Sequence, residues 1–218
     1  MLEFKNVTGI KKRFKKTFIL ENINFEAKTG YITGITGTNG SGKTTLFHYI
    51  IDREQHYTGE ILYNGVNIRK DFDNFKNNIA FISDEKRFFQ DYSIIENIEL
   101  MSNFFTIWDK ELFIDTLKNW NISLGKKLSA LSRGEYLKFQ LAFSIAHSAT
   151  LYLLDEATAG MDPVFRKEFF SLLHELIAKE NITILMTTHI EEEIFNHMDY
   201  KGLLKNGKLV EFNEVEVG

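Results

Sequence analysis

Residues Gly37-Thr38-Asn39-Gly40-Ser41-Gly42-Lys43-Thr44 follow the spacing G-x-x-x-x-G-K-[ST]. Glycines so placed let the backbone curl until successive N–H groups face one phosphate-sized space. Lys43 can reach the outer phosphates of a nucleotide, and the Thr44 hydroxyl suits a magnesium ion. The flanks agree with this chemistry. Tyr31-Ile32-Thr33-Gly34-Ile35-Thr36 reads as a buried strand entering the loop, and Leu46-Phe47-His48-Tyr49-Ile50-Ile51 as the helix leaving it. The helix N-terminus adds partial positive charge to the same space.

A second group lies downstream. Leu151-Tyr152-Leu153-Leu154 is an apolar run suited to a buried strand, with Asp155 and Glu156 at its carboxyl end. Open α/β sheets bind ligands at that edge. Asp155 is placed to orient Mg²⁺ through water. Glu156 is placed to accept a proton from a water attacking the outermost phosphate. Phosphoryl transfer asks for little beyond positioning, charge neutralisation and an oriented nucleophile.

The third group is Leu131-Ser132-Arg133-Gly134-Glu135. Ser132 and Glu135 form the S-x-x-E capping box that starts a helix. Gly134 in the first turn weakens that helix, which makes sense where something approaches the backbone closely. A capped N-terminus carrying Ser and Gly can also receive an anion.

The remaining pattern supplies the elements that must hold these groups. Leu2 to Phe4, Ile19-Leu20, Ile23 to Ala27 and Tyr31 to Thr36 predict short strands with polar breaks, and Ile79-Ala80-Phe81-Ile82-Ser83 another. Asn64-Gly65 and Asn206-Gly207 predict hairpin turns. Between about Ser93 and His147 the apolar residues recur at helical spacing: Ile94, Ile95, Ile98 and Met101, then Leu112, Phe113, Leu117 and Trp120. Strand-helix alternation returns with a strand at 151–154, a helix at 164–179, a strand at 182–187 and a helix at 191–197. That alternation predicts a parallel sheet covered by helices. Residues 211–216 read as a short acidic tail.

Composition narrows the function classes. The 218 residues are 44% hydrophobic and 26% charged, the balance of a soluble globular chain with room for a sizeable core. A net charge of −4 offers no broad nucleic-acid surface. Its dense basic cluster, Lys11-Lys12-Arg13 with Lys15-Lys16, reads as a solvated hairpin. With no cysteine, disulfides and thiolate metal sites are excluded. The start, Met1-Leu2-Glu3-Phe4-Lys5, lacks the apolar segment of a signal peptide. No apolar run approaches the ~20 residues that span a bilayer, so a role at a membrane would require a spanning segment on another chain. His174-Glu175-Leu176-Ile177-Ala178 lacks the second histidine of H-E-x-x-H. His189 and His197 flank acidic residues and read, as bare residues, as a structural histidine and a solvated helix face.

In their order, these motifs resemble the nucleotide-binding subunits of ABC transporters: the glycine loop, L-S-x-G-E, four apolar residues with Asp-Glu, then an isolated His. The resemblance runs from Leu2 to about Val210. It implies an α/β P-loop NTPase core with a mixed, mostly parallel sheet, an antiparallel β-region near the N-terminus and an inserted helical subdomain. Residues 1–218 would form one domain, with the core at about 1–92 and 148–218 and the helical part at about 93–147.

The resemblance also implies roles. Phe14 would stack on adenine. Gly37, Thr38, Asn39, Gly40, Ser41, Gly42, Lys43, Thr44 and Thr45 would hold the phosphates of ATP, with Thr45 at the α-phosphate. Ser132 and Gly134 would reach the γ-phosphate of ATP on the opposite subunit, and Asp162 in Ala159-Gly160-Met161-Asp162 would cross the same interface. Two subunits, identical or homologous, would sandwich two ATP molecules. His189, in Met186-Thr187-Thr188-His189, would hold the γ-phosphate and attacking water beside Glu156 and Lys43. Thr44, Asp84 and Asp155 would serve Mg²⁺.

Two positions depart from the family pattern. Asp84 stands where glutamine is usual, a charged and shorter side chain still able to bind Mg²⁺. Ala157 replaces a proline. Phe88, Phe89 and Tyr92 fall where the family receives the membrane subunit's coupling helix, or serve the core. The implied function is ATP hydrolysis on the cytoplasmic face of the membrane, powering a separate spanning subunit. The Asp162-Pro163-Val164-Phe165-Arg166 stretch, and the lack of a further regulatory region in the sequence, lean toward export. The rival reading is a soluble ABC ATPase acting on ribosomes or DNA. One P-loop, no heptad tract and no cysteine speak against it. A third is a poorly hydrolysing regulatory subunit, opposed by Glu156 and His189.

Overall fold

The computed structural model describes residues 1–13, 16–179 and 181–215. Both Asn-Gly pairs adopt left-handed backbone, with φ of 49° and 78° at Asn64-Gly65 and 50° and 80° at Asn206-Gly207. Such two-residue turns match the twist of the strands they join. They close β4 (Tyr57–Tyr63) on β5 (Val66–Asn67) and β9 (Tyr200–Lys205) on β10 (Lys208–Glu214). The first sheet also contains β1 (Leu2–Arg13) and β2 (Lys16–Ala27), in the antiparallel order β2-β1-β4-β5. The short strands read at Leu2 to Phe4, Ile19-Leu20 and Ile23 to Ala27 are parts of these two long ones. Their polar breaks are register shifts between Phe4 and Val7 and between Val7 and Gly9, beside left-handed Asn6 and Asn22. A bulge bends a strand without ending it.

The second sheet has the order β10-β9-β3-β8-β7-β6. Four neighbouring strands, β3 (Ile32–Thr36), β8 (Thr183–Thr188), β7 (Leu151–Asp155) and the edge strand β6 (Ile79–Ser83), are all parallel. Strands covered on both faces read as continuous apolar runs. The register sets Thr36 opposite Thr188, Thr187 opposite Asp155, and Asp155 opposite Ser83. The loops after the four strands therefore open along one edge.

The two faces of β7 bury different residues. Leu151 and Leu153 pack with α1 (Lys43–Ile51) and the first sheet, where α2 (Phe72–Lys76) also sits. Tyr152 and Leu154 pack with Phe169, Phe170 and Leu173 of α6 (Pro163–Ile177). A separate cluster joins α3 (Ile94–Met101), α4 (Lys110–Asn119) and α5 (Arg133–Ala146) through Ile98, Phe113, Leu117, Phe139 and Phe143. Full burial of side chains this size contributes roughly 1.5–3 kcal/mol each. Capping boxes start α3 at Ser93 and α5 at Ser132.

Two readings need correction. Residues 211–214 are no tail but the end of β10, because Phe212 packs against Phe25 and Tyr200 while the strand pairs with β9. His197, at the end of α7 (Glu191–His197), is half-buried rather than fully solvated. Its ring stacks on Phe170 with centroids 4.1 Å apart. Phe88 is core, packed on Phe139 and Phe143, whereas Phe89 and Tyr92 are exposed and meet each other.

His147 caps α5 from within this framework. It is buried, stacks on Phe105 at 4.1 Å, and its Nδ1 lies 3.3 Å from the Asn77 carbonyl. Burial lowers its pKa from 6.5 to about 4, the carbonyl opposing that shift only partly. The folded state thus binds this proton more weakly than the unfolded chain. Its contribution is fully present above pH 6.5 and is lost as pH falls toward 4, by up to about 3 kcal/mol. His147→Phe, which keeps the stacking but cannot titrate, should flatten the fall in thermal midpoint between pH 6.5 and 4.5. An unchanged pH slope would refute this assignment.

Candidate functional site

The glycine loop follows β3 and has a steric reason for its first residue. At Gly37, with φ of 152°, a Cβ would lie 2.3 Å from the Leu204 carbonyl oxygen and 2.6 Å from the Ser41 hydroxyl. The Ser41 N–H donates to the Thr38 carbonyl at 3.0 Å, and the Gly207 N–H donates to the Ser41 carbonyl at 3.1 Å. These bonds tie the loop to the β9–β10 turn. No side chain caps α1 at Gly42, so its first N–H groups remain for an anion. Thr38, Asn39, Gly40 and Thr44 are exposed around this mouth, and Thr45 is half-buried.

Lys43 is only 5% exposed. Its ammonium donates to the Gly37 carbonyl at 2.8 Å and lies 3.0 Å from the Glu156 carboxylate. Glu156 reaches it from a strained turn after β7, with φ of 46°. A left-handed non-glycine residue costs roughly 1–2 kcal/mol, so the surroundings must enforce it. Here the Glu156 N–H donates to the Thr187 carbonyl at 3.2 Å and lies 3.0 Å from the Thr187 hydroxyl. The same hydroxyl donates to the Asp155 carboxylate at 2.6 Å. One side chain of β8 therefore positions both acids of β7.

His189 completes the group, its Nδ1 lying 3.7 Å from the other Glu156 oxygen. Its turn is also braced. The Ile190 N–H donates to the Thr188 hydroxyl at 3.1 Å, and that hydroxyl donates to buried Glu193 at 2.6 Å. Thr187 and Glu193 were not singled out in the sequence, because their partners are distant or across a turn. The T-T-H run after an apolar strand was the available signal.

The structure thus gathers Lys43, Asp155, Glu156 and His189. Ser132 and Gly134 lie at the start of α5, and Asp162 at the start of α6. Ser132 caps α5, and Asp162 caps α6 by accepting from the Phe165 N–H at 2.9 Å. The close approach inferred at Gly134 comes from this chain's own Phe165, whose ring would lie 2.6 Å from an added Cβ. Asp84, after β6, lies 3.5 Å from the Arg133 guanidinium. Phe14 lies outside the described residues.

The donors fit a nucleotide phosphate. A buried ammonium, an uncapped helix start and the buried Ser41 hydroxyl, which has no partner among the described residues, face one loop. They also fit Mg²⁺, a hard cation that takes one or two protein oxygens and otherwise water and phosphate. The Thr44 hydroxyl and the Asp155 carboxylate are such oxygens. No group of three or more His, Cys, Asp and Glu gathers around a metal-sized space among the described residues.

The ABC transporter family model matches residues 20–159. The lipoprotein-releasing system ATP-binding protein LolD of Wigglesworthia glossinidia brevipalpis is 30% identical, over 98% of this chain and 97% of its own. The bacitracin transport ATP-binding protein BcrA of Bacillus licheniformis is 29% identical, over 94% of this chain and 67% of its own. Among solved structures, the dimeric ATP-binding cassette MJ0796 bound to ADP and Pi superposes with a TM-score of 0.83 at 22% identity, covering 99% of each chain. The cbiO1 protein of Clostridium perfringens gives 0.81 at 24%, covering 98% of this chain and 88% of its own. At these identities the structures show the shared fold.

Because Thr187 holds both acids, Thr187→Val should destabilise the chain by about 1–3 kcal/mol in urea unfolding, through loss of the hydroxyl's hydrogen bond to the half-buried Asp155 carboxylate. Thr187→Ser, which keeps the hydroxyl, should recover most of that loss. A Val variant within about 0.5 kcal/mol of the unaltered chain would contradict the bracing role.

Proposed function

We propose, from the premise that this chain belongs to the ABC transporter family, that it powers a separate membrane-spanning subunit, in the direction of export. The chain is an ABC transporter ATP-binding protein and an ATPase. The observation that carries the catalytic reading is the contact series Lys43, Glu156, His189, with separations of 3.0 and 3.7 Å.

ATP is the substrate, and Mg²⁺ bound with it supplies charge neutralisation at the phosphates. Backbone N–H groups of residues 37–45 cradle the phosphate chain. Lys43 exchanges its loop carbonyl and Glu156 for phosphate oxygens. Glu156, freed from that pairing, takes the proton from the attacking water, and His189 holds that water and the γ-phosphate from the other side. Thr44 and Asp155 would hold the cation.

Ser132 and Gly134 sit at the N-terminus of α5 and Asp162 at that of α6. That placement supports a shared site in which they face ATP on a second subunit, either a copy or a homologue. No described helix is long and apolar enough to cross a membrane. Peripheral attachment at the cytoplasmic face, through the exposed aromatics Phe89 and Tyr92 and their surroundings, is the arrangement proposed. The bacitracin-transport relative supports the outward direction.

Glu156→Gln should bind ATP, lose at least about a hundredfold in turnover and accumulate as a nucleotide-bound dimer in size-exclusion chromatography. Near-normal turnover would defeat the general-base role. Lys43→Ala should weaken nucleotide binding itself, and unchanged affinity would defeat the phosphate role of the loop.

A further inference from the structure

One stripe of α5 grips the segment that follows β6. Arg133, Tyr136 and Gln140 are spaced three and four residues apart, so they share a helix face. Gln140, 2% exposed, donates to the Ser83 carbonyl at 2.8 Å and accepts from the Ser83 N–H at 3.3 Å. The Tyr136 hydroxyl donates to the Glu85 carbonyl at 3.2 Å and accepts from the Arg87 N–H at 3.2 Å. Between these neutral anchors, Arg133 meets Asp84 through charge, at 3.5 Å.

Asp84 lies in a crowded electrostatic position. Ser83 is the register partner of Asp155, so Asp84 opens the loop beside Asp155 and Glu156. Glu156 has Lys43, and Asp155 has the Thr187 hydroxyl. The charged partner of Asp84 is Arg133. The guanidinium is confined on its other side, since a Cβ on Gly160 would lie 3.1 Å from its Nη1. Gly160 belongs to the turn that follows Glu156. Arg133 therefore touches the loops after both β6 and β7 from the first turn of α5.

We propose that Arg133 is a positioning residue that holds Asp84 and neutralises it. An acidic side chain is thereby tolerated at the edge where phosphates bind, and the start of α5 is coupled to the catalytic edge. The inference rests on the ATPase reading for its kinetic consequence and on the Arg133–Asp84 contact for its structural one. An exposed pair contributes little to stability. Its removal acts through position and charge: a freed Asp84 carboxylate would add to the repulsion felt by phosphate.

The test is a rescue. Arg133→Gln should reduce ATP turnover about five- to tenfold and raise the KM for ATP. Arg133→Gln with Asp84→Asn, which removes the stranded charge, should turn over several-fold faster than Arg133→Gln alone. In the nucleotide-free protein, Arg133→Gln should speed amide hydrogen exchange several-fold in the peptide covering residues 83–92. A double variant no faster than the single one would overturn the proposal and assign Arg133 to some other contact, such as the nucleotide of a second subunit. Unchanged exchange in the single variant would overturn it as well. If the unaltered chain hydrolysed no ATP, the proposed function would fail, and the exchange measurement would still decide the contact.

Discussion

A lysine ammonium buried to 5% exposure is the constraint around which this molecule is arranged. Removed from water, the charge must be met by a carboxylate and by oriented dipoles. Lys43 finds the Gly37 carbonyl and Glu156. Glu156 can reach it only from a left-handed turn, and that turn needs Thr187 behind it. Thr187 can stand there because β8 lies beside β7, within the observed order β3-β8-β7. Under the proposed function a phosphate chain would compete with Glu156 for Lys43, so that nucleotide binding would release the acid.

The other layers hold this edge still. The antiparallel sheet and α1 seal one face of the parallel strands, and α5 and α6 seal the other. The helices between residues 94 and 146 have their own apolar cluster. α5 belongs to both, and its stripe of Arg133, Tyr136 and Gln140 grips residues 83–87. A shift of the helices is therefore carried to the loop after β6 through hydrogen bonds and one ion pair rather than through flexible chain.

Much of this was legible in the sequence, where chemistry and spacing are local. The glycine loop, the Asp-Glu pair after four apolar residues, the Ser132–Glu135 capping box and both Asn-Gly turns each fit within a few residues, and each reads directly. What escaped depends on pairing across the chain. Nothing local marks Thr187 as the brace for Asp155 and Glu156, or Gln140 as the partner of Ser83, 57 residues away. The long strands β1 and β2 were read as fragments because bulges at Asn6 and Asn22 look like strand ends. The acidic residues near the C-terminus concealed a strand because alternation at Leu209 and Phe212 is broken by a register shift. His197 looked solvated because its partner, Phe170, lies on another helix.

Competition between Glu156 and phosphate for Lys43 can be read from ADP affinity without hydrolysis. Calorimetric titration of ADP into the unaltered chain and into Glu156→Gln isolates the contact, because the substitution keeps the shape and removes the competing charge. Several-fold tighter ADP binding by the variant is the predicted result. Equal or weaker binding would mean that the ion pair does not restrain Lys43, and would contradict the central claim.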